Sequence, residues 1–148
     1  MIKINLSNTK KVEALFKEYG VKAIKEIGKI TQITAQEIEN TAKSLAPVDD
    51  GTLRQSIRAE QQETPLDWKI TAYQPYSAFQ EFGTGGKVVI NEDWGFMASQ
   101  FKGNGIREVN LSPQPFMYPA FVKGRSMYNK DLKEELKILS NKFNSGNI

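Results

Sequence analysis

A chain of 148 residues with 39% hydrophobic and 25% charged side chains has the size and composition of one soluble globular domain, neither disordered nor membrane-embedded. It contains no His and no Cys, which excludes disulfides, thiolate or imidazole metal sites and the common nucleophile–base pairs. The net charge of +3 is unevenly spread: residues 1–48 carry 8 Lys and 5 Glu, residues 49–100 carry 4 basic and 8 acidic groups, and residues 101–148 carry 8 basic and 4 acidic. The lysines alternate with glutamates along helical stretches, as on solvated faces, rather than forming a basic stripe interleaved with aromatics. No apolar run approaches the roughly 20 residues of a membrane span. The start, MIKINLSNTKK, lacks the apolar core of a secretory signal, which predicts a chain that stays in the cytoplasm where it is made, without membrane association.

Ile2 to Leu6 alternate apolar and polar, as a short half-buried strand does, and Ser7, Asn8 and Thr9 offer oxygens for a helix N-terminus. From Val12 to Leu45, Val12, Leu15, Phe16, Tyr19, Ala23, Ile27, Ile30, Thr34, Ile38, Ala42 and Leu45 recur every three or four residues and define one helical face. Gly20 and Gly28 each weaken that helix by about 1 kcal/mol relative to Ala, so a break near Gly20 is expected. Pro47 ends the helix, and Asp49, Asp50 and Gly51 form a turn. Thr52 then caps a helical turn or opens a strand through Leu53, Ser56 and Ile57. Trp68, Ile70 and Ala72 alternate with Lys69, Thr71 and Tyr73, which predicts the antiparallel partner of that strand across a polar connection.

Tyr76, Phe79 and Phe82 are spaced for a helical turn or two, stopped by Gly83, Gly85 and Gly86. Lys87 to Ile90 and Ile106 to Leu111 read as strands bounding an irregular stretch. A final helix around Tyr118 to Phe143 is expected to bury Phe121, Val122, Leu132, Leu136 and Leu139, with residues 144–148 as a flexible tail.

Three motifs stand in order along this frame: APVDDGTLRQSI from Ala46 to Ile57, YSAFQEFGT from Tyr76 to Thr84, and PQPFMYPAF from Pro113 to Phe121. In the first, Gly51 suits a positive φ where the chain turns back, and Arg54 is placed to pair with Asp49, Asp50 or Glu81. In the second, Glu81 can accept hydrogen bonds from a backbone turn. A Mg²⁺ or Ca²⁺ site from Asp49, Asp50 and Glu81 matches no known ligand loop, and GTGGK at 83–87 lacks the spacing of a phosphate cradle. In the third, Pro115 and Pro119 stiffen a segment whose Phe116 and Phe121 dock into the core, with Pro119 in a helical first turn. No proton-transfer partner accompanies any of these carboxylates, so neither a catalytic residue, nor a metal, nor a cofactor is assigned.

These motifs resemble the bacteriophage tail-component family typified by the tenth gene product of a lambdoid coliphage. The resemblance spans roughly residues 30–122 and rests on Pro47, Asp50, Gly51, Leu53, Arg54 and Ser56, on Tyr76, Phe79, Glu81, Gly83 and Thr84, and on Pro115, Phe116, Pro119 and Ala120. It implies a structural virion protein, assembled in the bacterial host cytoplasm, that acts at the head–tail junction as a neck or tail-completion component. Its partners would be further copies of itself in a ring, a hexamer in the virion, together with neighbouring head-completion and tail proteins. Identical subunits build such rings through heterologous contacts.

The expected architecture is a single α+β domain over 1–148: a long N-terminal helix and a C-terminal helix on a small, mainly antiparallel sheet, with an extended hairpin loop over 85–111. Within that loop Trp94, Phe96, Met97, Phe101 and Arg107 are the residue types enriched at interfaces, although the aromatics can equally fold back as local core. The alternative function is a nucleic-acid-binding module using Lys10, Lys11, Lys22, Lys25, Lys29, Lys130, Lys133 and Lys137, either alone or as lysines facing DNA in the channel of a ring.

Overall fold

The computed structural model describes residues 9–49, 51–83 and 111–145, with side chains from residue 13 onward. Six elements follow in order: α1 (Thr9–Leu45), α2 (Thr52–Ser56), β1 (Ile57–Gln61), β2 (Trp68–Ala72), α3 (Ser77–Phe82) and α4 (Met117–Asn144). The architecture is α+β, a long N-terminal and a C-terminal helix packed with a two-stranded antiparallel sheet. The strand expected at 2–6, that at 87–90, the one at 106–111 except for Leu111, which is not in a strand, and the loop residues Trp94, Phe96, Met97, Phe101 and Arg107 lie outside the described residues.

At 37 residues α1 is about 55 Å long, and it is continuous through Gly20, against the expected break. An isolated glycine costs a helix about 1 kcal/mol, and here the turn before it is held. Phe16 and Tyr19 pack on Phe143 of α4, with ring centroids 5.5 and 4.9 Å apart. The helix stops at Leu45 before Pro47, as the pre-proline restriction requires.

α4 runs antiparallel along α1: Ala120 joins the Ile38–Ala42–Ala46 cluster, Gly124 meets Ile38, the Tyr128 hydroxyl lies 3.5 Å from that of Thr31, and Phe143 reaches Phe16 and Tyr19. A Cβ at Gly124 would sit 2.6 Å from Ile38 Cδ1, so the helices approach over the missing side chain. The buried face of α4 is therefore Ala120, Gly124 and Leu139. Leu132 is half-buried, whereas Phe121, Val122 and Leu136 are exposed by 39%, 47% and 43%, contrary to expectation. Leu139 is buried as expected, but the closest approach of the helices is made over Ala120 and Gly124, and Phe121, Val122 and Leu136 are rotated off it. For the same reason Leu15, Phe16 and Leu45 of the expected α1 face are exposed while Ala35, Ile38, Ala42 and Ala46 are buried.

The hairpin pairs Ile57 with Ala72, Ala59 with Ile70 and Gln61 with Trp68. Ile57, Ile70 and Ala72 join the core with Leu53, Phe116 and Met117, while Lys69 and Tyr73 are solvent-facing, as the alternation predicts; Thr71, between them, is half-buried. The hairpin lies along α1: the Ala59 N–H donates to Glu39 Oε2 at 2.6 Å, and at its tip Pro65 rests where a Cβ at Gly28 would come within 2.9 Å of the proline Cβ. Gly28 thus provides the seat for the turn.

Candidate functional site

The three motifs meet at one end of the molecule, where α1 stops and α4 begins. The chain reverses there at Gly51, whose φ of 80° is in the left-handed region that glycine tolerates. Gly51, not Thr52, occupies the cap position of α2. Arg54 turns back so that its Nε–H donates to the Ala46 carbonyl at 3.1 Å. A cation at the end of α1 complements the partial negative charge of the last carbonyls. The guanidinium is thus directed to a helix end and not to Glu81, and Asp50 lies outside the described residues. Ser56 closes α2 by donating to the Leu53 carbonyl at 2.7 Å, Leu53 is buried in the core, and Pro47 is half-buried.

Thr52 makes a different contact from the one its sequence position suggests: its hydroxyl is 2.9 Å from that of Tyr76, which joins the first motif to the second. α3 then brings Glu81 inward, 5% exposed. Its Oε2 accepts from the N–H groups of Phe116 (2.8 Å) and Met117 (2.9 Å), and its Oε1 from Tyr118 (3.0 Å). A helix leaves four N–H groups without intrahelical partners, those of the N-cap and the three residues after it. In α4 these are Phe116, Met117, Tyr118 and Pro119. Pro119 has no N–H to satisfy, and one carboxylate takes the other three, with its charge against the positive end of the helix. The glutamate of the second motif and the two prolines and phenylalanine around the third are therefore parts of one construction. Phe116 is fully buried and Ala120 nearly so, while Pro115 is exposed and Pro119 half-buried.

Two further contacts clamp α3 to the chain entering α4. The Gln114 N–H donates to the Gln80 carbonyl at 2.9 Å, and the Gln80 side-chain amide donates to Gln114 Oε1 at 2.8 Å. Gly83, at φ 72°, passes so close to the returning chain that a Cβ there would lie 2.6 Å from the Leu111 carbonyl oxygen and 3.0 Å from Pro113 Cδ. The two ends of segment 84–110 are thus held side by side. Neither Gln80 nor Gln114 carried a sequence signal, because their pairing exists only once α3 and the 111–116 segment are adjacent.

What this end offers chemically is a scaffold and an apolar surface. Glu81 has both oxygens committed to backbone amides, and no group of three His, Cys, Asp or Glu suited to a metal ion occurs among the described residues. Phe79 and Tyr76, one helical turn apart, are exposed by 41% and 42%, and Leu45 and Val48 beside the α1 terminus are exposed as well. Thr84 lies outside the described residues. Among the described residues no helix is long and apolar enough to cross a membrane.

A family model described as "Bacteriophage HK97-gp10, putative tail-component" matches residues 10–83, half of the chain. The chain belongs to this HK97-gp10-like family. The match takes in nearly all of α1, the hairpin, and both the Pro47–Ser56 and Tyr76–Gly83 motifs, and it ends at Gly83, the residue after α3. The protein is thus a phage tail-related, virion-associated structural protein of the HK97-gp10-like family. No curated protein and no solved structure matches the chain at a significant level.

Proposed function

We propose that this HK97-gp10-like protein is a neck or tail-completion component that acts at the junction of head and tail by assembling into a ring, a hexamer in the virion, in contact with the neighbouring head-completion and tail proteins. The observation that carries the reading is the junction of the three motifs. A buried carboxylate, a glutamine pair and a glycine contact lock together the bases of segment 84–110, and the same end of the molecule exposes Tyr76, Phe79, Leu45 and Val48. A base that holds the two ends of segment 84–110 side by side, rimmed by exposed aromatic and aliphatic side chains, suits docking on neighbouring subunits better than it suits chemistry on a small molecule. Trp94, Phe96, Met97, Phe101 and Arg107, within that segment, are the residues we assign to the interface. The exposed Lys25, Lys130, Lys133 and Lys137 on the two long helices would give non-specific contact with DNA in the channel of the ring.

Light scattering over a concentration series, alone and with the flanking head and tail proteins, tests this reading. A closed species near six times the 16.7 kDa chain mass, about 100 kDa, is the predicted result. A monomer that persists with those partners, yet binds DNA with steep salt dependence, would overturn it in favour of the nucleic-acid reading.

A further inference from the structure

Among the described residues, one edge of the two-stranded sheet is met by α1 and the other carries no further strand. The Tyr73 N–H donates to the Ser56 carbonyl and the Gln62 N–H to the Asp67 carbonyl. With the observed register, Arg58 pairs with Thr71 and Glu60 with Lys69 through the inner ladder bonds, so the backbone groups of Ala59 on β1 and of Trp68, Ile70 and Ala72 on β2 point outward. On the β1 side the Ala59 N–H is taken by Glu39. On the β2 side the Ser77 hydroxyl reaches the Ala72 carbonyl at 3.4 Å, and the Ile70 amide has no backbone partner among the described residues. Beside this edge lies a cavity of about 360 Å³, lined by Lys69 to Ala72 of β2 and by Ala78, Phe82, Phe116 and Met117 among others. A strand edge without a partner among the described residues, next to a mainly apolar groove, is where an extended segment adds as a further strand.

The sequence contains such a segment, and it cannot reach this groove in its own chain. Ile2, Ile4 and Leu6 alternate with Lys3 and Asn5, and the segment is joined to α1 at Thr9. Glu39, the α1 residue that meets the middle of the hairpin, lies about 45 Å along the helix from Thr9. The chain from Ile2 to Thr9, fully extended, covers at most about 25 Å. We propose that residues 2–6 of one copy add to the outer edge of β2 in a neighbouring copy, with Ile2, Ile4 and Leu6 on the side of Ile70 and Ala72 and Lys3 and Asn5 on the side of the Lys69 side chain. The contact is head-to-tail, the geometry that closes into rings. It rests on the assembly reading above and names the surfaces that would make it.

The absence of native cysteine makes disulfide trapping a clean test. Lys3→Cys, Ile4→Cys and Asn5→Cys variants would each be mixed at high concentration with a Lys69→Cys variant and oxidised. Because side chains in a strand alternate between faces, Lys3→Cys and Asn5→Cys are expected to give about tenfold more mixed disulfide than Ile4→Cys. Equal yields at all three positions, or none above background, would overturn the proposal. Lys69 is exposed, so its replacement leaves folding intact. A variant lacking residues 2–6 separates the two claims. Loss of the larger species seen with wild-type protein and its partners supports strand addition. Retention of that species overturns strand addition while the assembly reading stands. If wild-type protein itself fails to assemble with its partners, the assembly reading falls, and the disulfide pattern still decides strand addition.

Discussion

Replacing Glu81 by Ala removes the acceptor of three backbone N–H groups at the start of α4, those of Phe116, Met117 and Tyr118. Hydrogen bonds to a charged group contribute about 1.5–3 kcal/mol each when partners are buried. The full sum does not apply here, since water entering from the adjacent 360 Å³ cavity can satisfy part of what is lost. A net loss of about 3 kcal/mol is expected, above the 0.5–2 kcal/mol of an ordinary N-cap, because three donors and a helix-dipole contact go together. Glu81→Gln retains one oxygen for two of the donors but turns an amide NH₂ toward the third, so about half that loss is expected. Urea unfolding with an unchanged slope measures both, and the Ala variant should melt roughly 6–12 °C lower. Amide exchange at residues 116–118 should accelerate more than elsewhere in α4. A loss below about 1 kcal/mol for Glu81→Ala, or unchanged exchange at those three amides, would refute the reasoning.

Two glycines in the long helices should respond in opposite senses. Gly20→Ala, with nothing within 4 Å of the new methyl group, should stabilise the protein by about 0.5–1 kcal/mol through helix propensity; Gly124→Ala places that group against Ile38 and should destabilise it by about 1–3 kcal/mol, both read from urea midpoints. Gly83→Ala combines a φ of 72° with backbone contact at Leu111 and should cost more than about 2 kcal/mol, measured the same way. Burial opposes ionisation of Glu39, yet the hydrogen bonds from Lys43 and from the Ala59 N–H, with the charges of Lys43 and Arg58, hold its carboxyl below the ordinary value of 4.5. A carboxylate whose folded value is depressed gives stability that is fully present above its unfolded value and lost as pH falls through the folded one. Glu39→Gln should therefore flatten the loss of urea midpoint as pH is lowered from 5 toward and below the folded value, and an unaltered slope would contradict the assignment.

Much of the frame is legible in local sequence because local physics determines it. Pro47 dictates where α1 ends, the alternation from Trp68 to Ala72 marks a half-buried strand, and Gly83 stops α3. Apolar periodicity found α4 and its buried Leu139 but misplaced Phe121, Val122 and Leu136, since it weights large side chains while the close approach to α1 is built on Ala120 and Gly124. The expected break at Gly20 failed because aromatic packing on Phe143 outweighs one residue's propensity. The motifs were legible as motifs; their joint role was not. Glu81 as the cap of a helix 35 residues onward, and Arg54 as a cap for the helix before it, depend on tertiary proximity that no spacing rule encodes.

The direct test of a head–tail junction role is electron microscopy of particles produced by the encoding phage or prophage when this gene alone is inactivated. The account predicts filled heads and separate tails that fail to join, restored by the wild-type gene supplied in trans. Joined, infectious particles formed without the protein would contradict it.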